Sequence, residues 1–264
     1  VKGSITLGLG ATLFLLAINR GHAWGWTSPA IVIFGVTSLI SLWLFIRFER
    51  AAEAPLMPLK WLRTPNIILP IAIQALLNFA YMGGFIVVPQ MLEIGLGYTA
   101  SHVGWLIIAR PLAFSITAPL ASFFTMRAGE RKSGVIGACG VIASMLILSN
   151  MASGSSDLLV VLGLGLSGIG FGIAAPALTA LVSNAVDDET IGVAGAMQQL
   201  LSQMGAVLGS TVMISVHEMT VGSTTVVRSY GIALLFGAGT ATAAALLASR
   251  LTPTDRSAEA MAAN

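Results

Sequence analysis

Eight long apolar runs separated by short polar gaps leave this chain of 264 residues few ways to fold. They extend over Ile5 to Asn19, Ala30 to Phe48, Ile67 to Gln90, Val103 to Met126, Gly134 to Leu148, Leu158 to Val182, Ile191 to Val216 and Ile232 to Leu251. About 20 helical residues cross the hydrocarbon core of a bilayer, whereas a barrel strand needs only about 10 and alternates with period two. The runs are too long for strands and none alternates, so helices that satisfy their own backbone groups in lipid are predicted. The expected fold class is an all-α integral membrane protein with eight transmembrane helices. Composition agrees: 56% of residues are hydrophobic and 9% charged, against roughly 25% charged in a soluble globular protein.

The basic residues give the runs a sidedness. Ten of the 13 Lys and Arg fall in alternate gaps: Lys2; Arg47, Arg50, Lys60 and Arg63; Arg127, Arg131 and Lys132; Arg250 and Arg256. Cytoplasmic loops retain the excess of Lys and Arg, so both ends of the chain are expected in the cytoplasm. Arg20 and Arg228 fall on the other side, and Arg110 lies inside a run. The loop of Asp187, Asp188 and Glu189 has no basic residue, but acidic residues count for little in orientation. A net charge of +2 gives no reason to expect a nucleic-acid partner. The chain opens Val1-Lys2 without a methionine and shows no secretory signal, so a fragment of a longer protein is expected.

Motifs that would indicate catalysis do not survive their context. Gly163-Leu-Gly165-Leu-Ser-Gly168 matches GxGxxG but sits in an unbroken apolar run with no strand before it. His22, His102 and His217 are far apart and form no HExxH pair, and the single Cys139 cannot close an intrachain disulfide. No enzyme activity, cofactor or metal is expected. The 29 glycines lie mostly inside the runs, where small residues let helices approach closely. Gly165, Gly168, Gly172 and Pro176 in the sixth run, with Gly205 and Gly209 in the seventh, are expected to pack between neighbours.

Polar residues inside the runs are the candidate functional groups. Gln74, Asn78 and Tyr81 share one helix face, and so do Gln199 and Gln203, with Ser202 beside them. Two readings stay open: interhelical hydrogen bonds that hold a bundle, or a polar stripe lining a substrate cavity. Arg110 lies about ten residues, or roughly 15 Å, from the outer end of the fourth run. A charge there costs at least about 2.5 kcal/mol in lipid, so it should face the bundle interior or a cavity. Pro111 removes a helix hydrogen bond and adds a kink. No Asp or Glu lies in the middle of a run, although proton-coupled carriers use a buried carboxylate.

From Gly8 to about Ser215 the chain resembles the C-terminal part of the fourteen-helix drug:proton antiporters (EmrB/QacA-like) of the major facilitator superfamily, or MFS. The pieces, in order, are Gly25-Trp26-Thr-Ser28-Pro29, Phe48-Glu49-Arg50, Pro55-Leu56-Met57-Pro58-Leu59, Trp61-Leu62-Arg63, Pro89-Gln90-Met91-Leu92, Gly97-Tyr98-Thr99-Ala100, Arg127-Ala-Gly129-Glu-Arg131, Pro176-Ala-Leu178-Thr179, Gly192-Val-Ala194-Gly195 and Gln203-Met-Gly205-Ala-Val-Leu208-Gly209. The resemblance implies two extra central transmembrane helices (1–50), a cytoplasmic linker (51–65), one six-helix MFS repeat bundle (66–252) and a cytoplasmic tail (253–264). It implies a cytoplasmic-membrane exporter of amphipathic compounds or drugs, coupled to protons and working by alternating access. Its partners would be the lipid bilayer, a small-molecule substrate, protons and a missing N-terminal six-helix half that carries the proton-linked carboxylate. Gln74, Asn78, Tyr81, Arg110, Gln199 and Gln203 would line the substrate cavity. Arg127, Gly129, Arg131 and Lys132 would form an inner-loop motif that stabilises one conformation. The chain departs from the family at Gln199 and Ser202, where Asn and Arg are usual, and at Arg110, where an apolar residue is usual. Two other readings remain: an MFS transporter of another solute, such as an anionic metabolite, amino acid, sugar or lipid precursor, and a truncated membrane protein that does not transport.

Overall fold

The computed structural model describes residues 2–52, 59–152 and 154–251. The Pro55 to Pro58 motif, Arg256 and the expected tail 253–264 lie outside them. The described residues are helical apart from short connectors, and contain no strand. Eight helical stretches are long and apolar enough to cross a membrane, one for each apolar run. The chain divides into two compact units, Val1–Pro65 and Asn66–Asn264.

The first unit is a helical hairpin of α1 (Lys2–Trp24) and α2 (Pro29–Ala51), followed by a 3-10 turn at Leu59–Arg63. Its tip is dictated locally. Gly25 takes φ 82°, a left-handed value that costs glycine little. Ser28 caps α2 by accepting a hydrogen bond from the Ile31 amide, and Pro29 occupies the first helical position, where its missing N–H is harmless. The two helices are joined midway by Ser38, which donates to the Gly10 carbonyl at 2.8 Å.

The second unit contains α3 (Pro65–Gln90), α4 (Ala100–Ile107), α5 (Ala109–Ala128), α6 (Glu130–Ser149), α7 (Asp157–Asn184), α8 (Ile191–Val221) and α9 (Val226–Ala248). α3 widens into a π turn at Met91–Gly95, just after Pro89. It then stops at Gly97 (φ 74°), with the Tyr98 amide donating back to the Leu92 carbonyl in the pattern of a glycine-terminated helix. The fourth apolar run is two helices, broken at Ile108. Pro111 cannot donate to the carbonyl of Ile107, four residues back, and this accounts for the break ahead of the proline. α5 and α6 are joined by Gly129 alone, at φ 85° and ψ 153°, a conformation essentially reserved for glycine. Its N–H donates to Thr125 O, and its carbonyl accepts from the Ser133 amide and hydroxyl.

Small residues set the helix contacts. Gly205 and Gly209 of α8 lie against the backbone of Ala75 and Phe79 of α3, so close that a Cβ on either glycine would overlap the opposing carbonyl. Gly168 and Gly172 of α7 admit α5 at Arg110, Ala113 and Thr117 in the same way. Gly137 and Gly140 of α6 meet Gly170 of α7. Gly165 departs from expectation: a Cβ there would meet nothing within 4 Å, because it points away both from α6, which Gly163 and Gly170 face, and from α5, which Gly168 and Gly172 face. Pro176 lies within α7, half-buried, and the helix continues through it.

Candidate functional site

The polar residues of α3 meet those of α8 on the face that the glycines bring together. Gln198 of α8 donates to the Gln74 side-chain carbonyl and, at 3.1 Å, to the Thr179 hydroxyl of α7. One turn further, Asn78 donates to the backbone carbonyl and hydroxyl of Ser202 at 2.9 and 3.0 Å. Gln74, Asn78, Gln198 and Ser202 are all buried. The Asn78 side-chain carbonyl has no hydrogen-bond partner among the described residues.

Two of the glutamines read from the sequence are not part of this seam. Gln199 and Gln203 are exposed on another face of α8. One residue along a helix turns the side chain by about 100°, so the neighbouring pair Gln198 and Ser202 takes the inward position. The signal was present in the sequence: counting back seven residues from Gly205 and Gly209 gives 198 and 202, the same helical stripe. Gln198 and Thr179 were missed as seam residues.

Arg110, in the first turn of α5, is 1% exposed. Its Nε donates to the Ser167 hydroxyl of α7 at 2.7 Å and its Nη1 to the Tyr81 carbonyl of α3 at 2.9 Å. The guanidinium lies 4.7 Å from the centre of the Tyr81 ring, within cation–π range. Nη2 is buried and has no partner among the described residues. The Tyr81 ring stacks on Phe171 of α7 at 4.6 Å, and Phe114 of α5 leans on both rings at 6.5 and 6.0 Å. Gly168 permits this cluster, since a side chain there would strike the Arg110 carbonyl. Arg110 thus faces the bundle interior, where it ties α3, α5 and α7 together.

At the α5–α6 joint, Arg127, Arg131 and Lys132 are exposed while Gly129 and Glu130 are buried. Among the described residues, none of the three cations forms an ion pair, with Glu130 and Asp187 included. At the opposite helix ends, His102 Nε2 lies 2.8 Å from an Asp157 carboxylate oxygen and its ring stacks on Tyr98. Burial, then the hydrogen bond and negative charge of Asp157, raise the Tyr98 phenol above its ordinary value. The Tyr98 hydroxyl also donates to Ser155 O at 3.3 Å.

Eight apolar helical stretches packed through glycine, with buried polar groups in mid-span, define a multi-pass helical membrane protein. The Major Facilitator Superfamily model matches residues 3–210 and 71–264, and the chain belongs to that family. It is 29% identical to the multidrug resistance protein Stp of Mycobacterium tuberculosis over 78% of this chain and 40% of that protein. It is 25% identical to a tetracycline resistance determinant of Streptomyces rimosus over 82% of this chain and 63% of the relative. It is 22% identical to the multidrug transporter protein MdtP of Bacillus subtilis over 84% of this chain and 41% of the relative. The chain therefore spans less than two thirds of the length of these curated relatives.

Proposed function

We propose that the intact protein is a proton-coupled exporter of small amphipathic compounds, located in the cytoplasmic membrane and working by alternating access. This chain would supply its C-terminal wall. The buried polar seam of α3 and α8 in mid-span carries the reading. Such groups can hold a bundle together, but the Asn78 side-chain carbonyl and Arg110 Nη2 are buried without a partner among the described residues, and midplane polar groups are where transporters hold substrate. The resistance functions in the names of the relatives support export of drug-like compounds.

Gln74, Asn78, Tyr81 and Arg110 line the substrate site from α3 and α5. Gln199 and Gln203, polar and exposed in mid-span, face water or another part of the protein rather than lipid. The proton-linked carboxylate and the other half of the cavity belong to sequence beyond this chain. Arg127, Arg131 and Lys132 act as a latch: unpaired here, they pair with acidic groups of that other half in one conformational state, while Gly129 sets their position. Both ends of the chain face the cytoplasm.

The test is efflux from everted vesicles that contain the full-length protein. An imposed proton gradient should drive accumulation of an amphipathic fluorescent compound from a panel of anionic, neutral and cationic ones, and a protonophore should abolish it. Accumulation equal to that of empty vesicles for every amphipathic compound tried would refute the reading. The chain 1–264 reconstituted by itself should show no efflux above empty liposomes.

A further inference from the structure

We propose that Arg110 and the rings around it bind a planar aromatic compound carrying an ionised acidic oxygen, in the simplest case an aryl carboxylate. The inference rests on the export reading, in that it takes the site to open to ligand in one state of the transport cycle. Three observations carry it. The first is a spare donor: a guanidinium presents five N–H groups in a planar fork, and here Nε and Nη1 are engaged while Nη2 is buried without a partner. An arginine fork matches the two oxygens of a carboxylate.

The second is a missing counter-charge. Arg110 forms no ion pair among the described residues. Among the described residues of the second unit, the acids Glu93, Glu130, Asp157, Asp187 to Glu189 and Glu218 occupy helix ends and connectors, far along the chain from mid-span. A buried cation without an anion is costly, and a ligand that brings a negative charge removes the cost. A cationic ligand at the same place would increase it.

The third is the surroundings of Nη2. The guanidinium lies against the Tyr81 ring, Phe171 stacks on that ring in turn and Phe114 leans on both, so the charge adjoins a cluster of three rings. A flat ligand ring that enters beside Arg110 has aromatic partners for offset stacking in that cluster. On the other side, Nη2 and the Met145 thioether methyl approach the same point beside Gly84: a Cβ there would lie 3.1 Å from the nitrogen and 2.8 Å from the methyl. Methionine is unbranched and yields readily, so Met145 is the side chain that moves to uncover the nitrogen. The helix is interrupted at Ile108, two residues before Arg110, because Pro111 brings no N–H to the ladder, and a helix bends most easily at such a point.

The experiment is calorimetric binding to the purified full-length protein without a gradient, with 2-naphthoate, 2-naphthamide and 2-naphthylmethylammonium as probes. Naphthoate should bind about tenfold more tightly than the amide, equivalent to roughly 1.4 kcal/mol, and the ammonium compound should bind most weakly. In Arg110→Met the acid and amide should bind within about twofold, and Arg110→Lys should fall between, because it keeps the charge but loses the fork. Should Arg110→Met fail to fold, the order of the three probes on the wild-type protein decides. Phe171→Leu, which leaves the charge in place, should weaken acid and amide alike.

Equal binding of acid and amide to the wild-type protein overturns the inference; it is also the result expected if a carboxylate elsewhere in the intact protein already occupies Arg110. An acid preference that persists in a folded Arg110→Met overturns it too. Failure of vesicle export with the acid preference intact refutes the export reading alone. Export of a cationic dye by a protein indifferent to naphthoate refutes this inference alone.

Discussion

Ser167 is a short side chain with a large charge to manage. Its hydroxyl accepts from Arg110 Nε and donates to the Leu164 carbonyl, so it passes the pull of the guanidinium on to the backbone of α7. Ser167→Ala leaves a second nitrogen of a buried cation without a partner and should destabilise the protein by about 1–3 kcal/mol, the cost of an unsatisfied buried polar group. The measurement is thermal unfolding in detergent; an unchanged midpoint would mean that water or a neighbour replaces the hydroxyl. At this scale the sequence was legible in part. Arg110 stood out because a charge in an apolar run must turn inward, and it does. Ser167 did not, since a serine among glycines carries no sign of what faces it. Gln199 with Gln203 and Gln198 with Ser202 are equivalent in the sequence, because pairs four apart look alike on every face of an isolated helix. Only the partner helix decides which face is inward.

Glycine positions decide how elements meet. Gly209 rests against the Phe79 carbonyl and Gly205 against that of Ala75, so Gly209→Val forces α8 away from α3. Overpacking of this kind costs about 1–3 kcal/mol, and the same substitution at Gly165, which faces open space, should cost far less. Parallel melting of the two variants checks this, and equal losses would remove the contact argument. Pro111→Ala supplies an N–H that can donate to the Ile107 carbonyl. It should close the break at Ile108 and stabilise the fourth span by up to about 3 kcal/mol, the interior cost of proline. Slower hydrogen exchange at residues 107–111 would report it. The spans themselves were legible because length and hydropathy are additive properties of a run. The break was not fully so: the apolar pattern continues through Trp105 to Phe114, and the proline marks a fault without saying how many residues earlier the helix gives way.

For the molecule as a whole, sidedness is the claim most open to direct test. In the full-length protein with Cys139→Ser as background, Arg131→Cys should be shielded from an impermeant maleimide in intact cells. Thr224→Cys, in the connector between α8 and α9, should be labelled. The reverse pattern would invert the topology. The charge map could suggest this orientation because Lys and Arg obey a rule of membrane insertion rather than of packing. Nothing comparable in the sequence marks which helices form the polar seam. The α3–α8 contact has a consequence for motion. Backbone lies on backbone at two successive turns, so neither helix can roll about its own axis without driving a carbonyl into a neighbouring chain. The two must travel as a single plank, with Gln74, Asn78, Gln198 and Ser202 fixed along its joint. Any opening of the bundle must then bend elsewhere, and the interruption at Ile108, where Pro111 leaves a gap in the hydrogen-bond ladder, is a place for that bend.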